Sequence, residues 1–179
     1  MIVVIGGPPG SGKTTAAERF AKARGFVLVS AGALFRKMAS DRGLDLEALG
    51  RKAEEDPSID RELDERVLAE ILRRDSLGED VVVDGRIQAH LLSQRRVPCL
   101  KMWIDAAPEV RAERIAGREG KDLGVVRREL AERERSERAR YKGIYGIDLA
   151  DLRAYDLVID SSDRTPDEIV GLLTSQVAG

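Results

Sequence analysis

The sequence has little of what builds disulfide scaffolds or histidine metal sites: it contains one cysteine and one histidine in 179 residues. With a single cysteine no intrachain disulfide is possible. Because Cys99 lies inside an apolar run, we expect a buried, unreactive thiol. The lone His90 cannot form a histidine metal cluster, and we assign it a structural or surface role. The chemistry of this chain must therefore rest on other residue types.

Long apolar runs are also missing, and no stretch approaches the roughly 20 residues of a membrane span. The N-terminus lacks the basic region of a secretory signal and leads straight into a glycine-rich segment. A net charge of −2 argues against general nucleic-acid binding. We expect a single-domain, cytoplasmic monomer with no membrane or nucleic-acid partner, whose ligands are small molecules.

What the sequence does contain is a complete phosphate-binding loop. Gly7-x-x-x-x-Gly12-Lys13-Thr14 fits the pattern, which requires a strand before it and a helix after it. A β-branched run precedes the loop, and a helix-forming segment that ends at Gly25 follows it. The alternative is an ordinary turn rich in glycine and proline, but the full motif in this context favours a nucleoside triphosphate site.

The loop also predicts which groups meet the triphosphate and its magnesium ion. Lys13 would neutralise the β and γ phosphates, and the Thr14 hydroxyl would ligate Mg²⁺. Asp84, at the end of a later strand, is placed to hold the same ion; the alternative for Asp84 is a helix N-cap. The predicted ATP-binding residues are Gly7, Pro8, Pro9, Gly10, Ser11, Gly12, Lys13, Thr14 and Thr15.

Short apolar runs alternate with helical segments along the whole chain. The runs that we assign to strands are residues 2–5, 26–30, 80–84, 100–105 and 155–160. This alternation predicts an α/β fold with a five-stranded parallel sheet and helices on both faces. Several helices fall between the second and third strands, so residues 31–74 form an insert longer than a simple crossover needs.

Arginine far outnumbers lysine, and two helical segments concentrate it. Arg111, Arg114 and Arg118 share one face of a helix that breaks at residues 117–122. A glycine-flanked hairpin of this kind could close over a transferring phosphoryl group. The alternative for most arginines is a solvated, ion-paired surface.

A second group on the following helix has the spacing i, i+4, i+7: Arg133, Glu137 and Arg140. Here too ion pairs along the helix are an alternative, for example Glu129 with Arg133.

Taken together, these segments resemble nucleoside monophosphate kinases, and most closely the short archaeal type of cytidylate kinase. The resemblance covers essentially the whole chain, through GGPPGSGKTT, SAGALFR, VVVDGR, RE-x-SE-x-x-RYKGIYGID and YDLVIDSS. It implies a five-stranded parallel core, an acceptor-binding helical insert at about residues 31–74 and a very short lid at about residues 117–122.

The resemblance also implies site residues, which we carry over position by position. Catalytic roles go to Lys13, Arg118 and Arg133. Acceptor-binding roles go to Ser30, Gly32, Arg36, Asp84, Arg86, Glu137 and Arg140. Two positions depart from related kinases: residue 31 is Ala rather than Ser or Thr, and residue 137 is Glu rather than Asp.

We therefore expect phosphorylation of CMP, and of dCMP as a further acceptor, by transfer from MgATP. One alternative is AMP phosphorylation, as in adenylate kinases. Those enzymes place two residues between the glycine and arginine at the third strand end, whereas here Arg86 follows Gly85 directly. The other alternative is a nucleotide-dependent switch, but the guanine-selecting Asn-Lys-x-Asp is absent from the sequence.

Overall fold

A parallel sheet of five strands forms the centre of the computed structural model, which describes residues 1–177. The strands are β1 (Ile2–Gly6), β2 (Val27–Ser30), β3 (Val81–Asp84), β4 (Leu100–Asp105) and β5 (Leu157–Asp160). Their order across the sheet is β2-β3-β1-β4-β5, and every neighbouring pair is parallel. The predicted fold class is confirmed.

Eight α-helices connect and cover the strands in the described chain. They are α1 (Lys13–Arg24), α2 (Ala31–Asp41), α3 (Leu46–Glu55), α4 (Pro57–Ser76), α5 (Gln88–Gln94), α6 (Pro108–Glu119), α7 (Leu123–Tyr145) and α8 (Pro166–Val177). A short 3₁₀ helix, Leu152–Ala154, precedes β5. In the part of the chain described, none of these helices has both the length and the apolar character needed to cross a membrane.

The central strands are buried on both faces because their side chains alternate between two hydrophobic clusters. Ile2 and Val4 of β1 belong to one cluster, together with residues of α4, α5 and α7. Val3 and Ile5 belong to the other, with residues of α1 and α8. Successive strand residues point to opposite faces, so an uninterrupted apolar run suits a strand covered by helices on both sides.

The helix ends follow local signals in the sequence. Thr165 and Glu168 form a capping box at the start of α8, with Thr165 N donating to Glu168 Oε2 at 2.7 Å. The break predicted at residues 117–122 is shorter in the structure: α6 continues through Gly117 to Glu119, the left-handed Gly120 caps it, and α7 begins at Leu123.

The topology brings the polar strand ends together at one edge of the sheet. β1 lies between β3 and β4, so the chain leaves the sheet in opposite directions on either side of β1. Ligands of open parallel sheets bind in the crevice that such a reversal creates. In the register, Ile5 of β1 is opposite Asp84 and Ser30 is opposite Asp84 from the other side. The phosphate loop follows β1 directly into this crevice.

Candidate active site

The phosphate loop runs from the end of β1 to the first turn of α1, and its glycines are required there. Gly12 has a left-handed φ of 87° and precedes α1, which no side chain caps. The first N–H groups of the helix are therefore open to an anion. A Cβ at Gly7 would lie 2.3 Å from the Ile104 carbonyl oxygen of β4, so the loop can approach the sheet this closely only with glycine.

Asp84 and Thr14 meet at the mouth of this loop. Thr14 Oγ1 donates to Asp84 Oδ2 at 2.9 Å, and Ser30 Oγ donates to the same oxygen at 3.2 Å. The other oxygen, Asp84 Oδ1, is buried without a hydrogen-bond partner in the described chain. Asp84 caps no helix, because α5 begins after Ile87 and has no side-chain cap. The helix-cap alternative for Asp84 is therefore wrong.

These groups fit the magnesium ion that the phosphate loop implies. A hydroxyl and one carboxylate are the usual protein contribution to Mg²⁺ beside bound phosphates. The unpartnered Asp84 Oδ1 supplies a free oxygen of the right kind. No cluster of three or more His, Cys, Asp or Glu suited to a metal occurs among residues 1–177, so most ligands would come from phosphate and water.

Lys13 lies at the centre of the charges. Burial, and next the positive charge of Arg86, lower the pKa of Lys13 to about 8, while Asp84 acts in the opposite direction. Burial and the neighbouring arginine thus disfavour the charged form of the ammonium group. A polyphosphate would restore the balance.

Arg86, Glu137 and Arg133 form a second charged group beside Lys13. Arg86 Nη2 lies 2.9 Å from Glu137 Oε2, and Arg133 Nε donates to Glu137 Oε1 at 2.9 Å. Burial opposes ionisation of Glu137, but Arg86 and Arg133 outweigh it and hold its pKa below the ordinary value. The Arg86 and Glu137 atoms are close but not aligned for a hydrogen bond, and both are buried without one in the described chain. Such poorly satisfied charges are typical of a ligand site.

Arg140 belongs to the same face of α7 but is paired with the helical insert. Its Nε donates to Asp60 Oδ2 of α4 at 2.8 Å, and its Nη1 donates to Ser136 Oγ at 2.8 Å. Asp60 is only 2% exposed. Burial raises the pKa of Asp60, and the attraction of Arg140 opposes that rise. The helical insert and α7 are therefore joined by a buried ion pair.

Arg36, Gly32 and Ser30 occupy the start of the insert. Ser30 caps α2 by accepting a hydrogen bond from Ala33 N at 3.2 Å, while its hydroxyl also reaches Asp84. A Cβ at Gly32 would lie 3.6 Å from Arg36 Nη1, so the guanidinium folds back towards this turn. Within residues 1–177 Arg36 has no ion-pair partner, which leaves its charge free for an anion.

Arg118 stands apart from these groups. Its side chain is 68% exposed and pairs with Glu119, its neighbour in sequence. The short turn that follows α6 carries Gly120 in a left-handed conformation. The structure therefore brings Lys13, Asp84, Arg86, Arg133 and Glu137 together and leaves Arg118 in solvent.

Sequence reasoning missed the contribution of two other arginines on α6. Arg111 is buried and donates to Ala106 O at 3.0 Å and to Pro9 O of the phosphate loop at 3.3 Å. It also pairs with Glu134 of α7. The strand order could have indicated this contact, because α6 follows β4, and β4 is the neighbour of β1, which leads into the phosphate loop.

Arg114 supports the same loop through β5. It donates to Ser161 O at 2.6 Å, and the Ser161 hydroxyl donates to Ser11 O at 2.8 Å. The ion pair proposed between Glu129 and Arg133 does not form, because Glu129 pairs with Lys121 and Arg133 with Glu137. The helix-surface alternative thus fails for that pair.

The fold and this site define a P-loop nucleotide-binding protein of the phosphotransferase type. Structural comparison agrees. A crystal structure of an uncharacterized protein from Eubacterium ventriosum matches with a TM-score of 0.73 and 18% identity, covering 99% of this chain and 98% of the other. Shikimate kinase from Bacteroides thetaiotaomicron matches with a TM-score of 0.61 and 16% identity, covering 99% and 98%. At these identities the similarity establishes the fold.

The chain belongs to the cytidylate kinase-like family, whose model matches residues 2–163. It is 44% identical to the cytidylate kinase of Methanopyrus kandleri, over 99% of this chain and 93% of the relative. It is 42% identical to the cytidylate kinase of Methanocaldococcus jannaschii, over 99% of this chain and 97% of the relative. The resemblance to the archaeal type of this family is therefore confirmed.

Proposed function

We propose that this protein transfers the γ-phosphoryl group of MgATP to CMP, and also to dCMP, giving the nucleoside diphosphate and ADP. The observation that carries the proposal is the linked ion pairs of Arg86, Glu137 and Arg133, which lie near enough to Lys13 of the phosphate loop to influence its pKa. A donor polyphosphate and an acceptor monophosphate can approach the same ammonium group. Membership of the cytidylate kinase-like family supports the choice of acceptor.

The chemistry requires positioning and positive charge more than a base. An oxygen of the acceptor phosphate attacks the γ phosphorus, a new phosphorus–oxygen bond forms, and the bond from the γ phosphorus to the bridging oxygen breaks with its electrons going to ADP. The attacking phosphate is already anionic at neutral pH, so no protein group must remove a proton. This agrees with a chain whose single histidine, His90, packs edge-on against Tyr155.

The charged residues then have distinct roles. In our proposal Lys13 stabilises charge on the β and γ phosphates, while Arg36 and Arg86 hold the acceptor phosphate and nucleoside. Arg133 is exposed enough to turn from Glu137 to a phosphate, and Arg118 would reach the transferring group by movement of the short lid. Arg111 and Arg114 keep the loop in shape.

Thr14 and Asp84 would hold the magnesium ion. When bound, the ion supplies charge neutralisation of the donor phosphates. Without it, the two side chains hydrogen-bond each other and Ser30 holds the Asp84 carboxylate in place.

A phosphotransfer assay across CMP, dCMP, UMP, AMP and GMP tests the proposal. We expect kcat/KM for CMP to exceed that for AMP by at least about 10²-fold, because a polar site leaves its own groups unpaired with the wrong base. Equal or better use of AMP would instead establish an adenylate kinase activity. Omission of Mg²⁺ should abolish turnover with every acceptor.

We further propose that the enzyme is a cytoplasmic monomer whose ligands are nucleotides and not nucleic acids or membranes. Light scattering coupled to size-exclusion chromatography tests the oligomeric state, and a mass near 19.7 kDa is expected.

A further inference from the structure

One buried carboxylate in the insert has an oxygen that no described residue uses. Asp60 is 2% exposed, and its Oδ2 accepts a hydrogen bond from Arg140 Nε at 2.8 Å. Within residues 1–177 no hydrogen bond reaches Asp60 Oδ1. A carboxylate can accept about four hydrogen bonds. Asp60 Oδ1 is not one of the fully buried, unpartnered atoms of the described chain, so this oxygen is accessible to a donor from outside the chain.

Neighbouring carboxylates are engaged more fully. Asp64, one turn further along α4, accepts from Gln88 Nε2 at 3.2 Å and from Tyr145 Oη at 2.8 Å. Glu137 accepts a hydrogen bond from Arg133 with one carboxylate oxygen, and its other oxygen lies within ion-pair distance of Arg86. Asp60 and Glu137 each accept one hydrogen bond in the described chain, but of the two only Glu137 has a second arginine within ion-pair distance.

The position of Asp60 relative to Arg86 follows from α7. Arg86 lies against Glu137, and Asp60 lies against Arg140. Glu137 and Arg140 are three residues apart on one helical face, which corresponds to about 4.5 Å along the helix axis. The Arg86 guanidinium, a donor, and the Asp60 carboxylate, an acceptor, therefore pair with the same face of α7 about one helical turn apart.

The order of these groups matches cytosine and opposes uracil. Cytosine presents two acceptors, O2 and N3, and a donor, the 4-amino group. Uracil presents an N3–H donor and an O4 acceptor at the last two positions. An arginine and a carboxylate would together satisfy the hydrogen-bonding groups of cytosine. With uracil, the N3–H donor would face the guanidinium donor and the O4 acceptor would face the carboxylate acceptor, so neither pair could form a hydrogen bond.

We propose that the Asp60 carboxylate accepts the 4-amino group of the acceptor base and thereby selects cytosine over uracil. This inference rests on the proposed CMP kinase activity and adds the residue that discriminates between pyrimidines. Arg140 positions the carboxylate, and its positive charge favours the ionised form against the opposing effect of burial. The insert therefore carries base selection as well as a phosphate contact.

The test compares CMP and UMP as acceptors for the unmodified protein and for Asp60→Asn. An amide can donate to O4, so the ratio of kcat/KM for CMP to that for UMP should fall by about 10²-fold, with kcat/KM for UMP rising in absolute terms. A merely structural role would lower both values together, and an unchanged ratio overturns the proposal. Asp64→Asn, an equally buried change one turn away, should leave the ratio unaltered.

A second measurement does not depend on a variant that folds. The unmodified protein is given the monophosphate of the pyrimidin-2-one nucleoside, which is cytidine without its amino group. Loss of the charged hydrogen bond should lower kcat/KM by about 10-fold to 10²-fold relative to CMP. Equal use of the two acceptors would overturn the role of Asp60. Failure to phosphorylate CMP at all would overturn the proposed function itself, which the acceptor panel reveals separately.

Discussion

The donor side and the acceptor side of this site hold their charges in different ways. On the donor side Lys13, Thr14 and Asp84 are placed by a strand end, a glycine loop and the first turn of a helix, all within contact of β1. On the proposed acceptor side Arg86 and Arg140 are each paired with a carboxylate from a distant part of the chain, Glu137 and Asp60 respectively. The proposed donor side is built around neighbouring strand ends and one loop, whereas the pairing of Arg140 with Asp60 requires α4 and α7 to pack together.

The largest effect is expected at Arg118, which contacts neither the proposed donor side nor the proposed acceptor side and pairs with Glu119 instead. We predict that Arg118→Ala lowers kcat by about 10²-fold to 10⁴-fold with a smaller effect on ATP binding, because the guanidinium would act mainly in the transition state. Steady-state kinetics and binding of a fluorescent ATP analogue measure the two quantities.

The matched control for Arg118 is Arg135→Ala. Arg135 is also exposed, at 80%, and also lies near a glutamate of its own helix. It should keep normal turnover. If the two variants behave alike, Arg118 is a surface residue and the lid assignment fails.

Lys13→Ala tests the donor side. A preorganised charge aimed at developing negative charge is lost, so kcat should fall by at least about 10²-fold. The exposed Lys22 on the same helix provides the control, and Lys22→Ala should be neutral. Near-normal turnover of Lys13→Ala would remove the phosphate loop from the mechanism, whatever the acceptor.

Arg86→Met tests the acceptor side. The change keeps the length of the side chain but removes its charge and donors, so the preference for CMP over AMP should fall by about 10-fold or more, and the rate with CMP should fall as well. The same acceptor panel measures both effects. A slower enzyme with the full preference for CMP would show that Arg86 binds only phosphate.

The attachment of the insert to the core should depend on pH through Asp64. Burial raises the pKa of Asp64 to about 7 from an ordinary value of 3.8. The folded chain then binds the proton of the Asp64 carboxyl more tightly than the unfolded chain does. The contribution of this proton to folding stability is therefore complete below about pH 4 and is lost as the pH rises towards 7. The contribution is at most a few kcal/mol, at about 1.4 kcal/mol per pKa unit.

Urea unfolding at pH values from about 4.5 to about 7.5, in steps of about one pH unit, tests this effect. The quantity compared is the difference in the free energy of unfolding between the unmodified protein and Asp64→Asn. The amide stays neutral throughout, so the unmodified protein should lose stability relative to the variant as the pH rises. A constant difference across this range would show that Asp64 is ionised in the folded chain at all these pH values.

The fold was predictable because each of its elements has a local cause. The run before Gly7 is apolar and β-branched, so it forms a strand buried on both faces, and the left-handed Gly12 and Gly25 bound α1 as expected. The break predicted at residues 117–122 was placed too early, because one glycine at position 117 costs a helix only about 1 kcal/mol, and the chain turns at Gly120.

The site was predictable in unequal parts. The nearness of Thr14 and Asp84 followed from motif and strand ends, which meet at the same edge of any parallel sheet. The support of the loop by Arg111 and Arg114 did not, because spacing along a helix does not say which strand end the helix crosses. The pairing of Arg140 with Asp60 joins residues 80 positions apart and leaves no periodic trace.

By itself the sequence determined the sheet and the phosphate loop, since these depend on patterns that act over a few residues, and its resemblance to a kinase family over the whole chain indicated the class of reaction. The tertiary structure alone decided which charges meet: Glu137 with Arg86 and Arg133, and Asp60 with Arg140. The physical reason is that the sequence does not show whether a charged side chain lies in solvent, as Arg118 does, or in a buried ion pair. Packing excludes water from the buried pairs, and the strength of an electrostatic interaction depends on that exclusion.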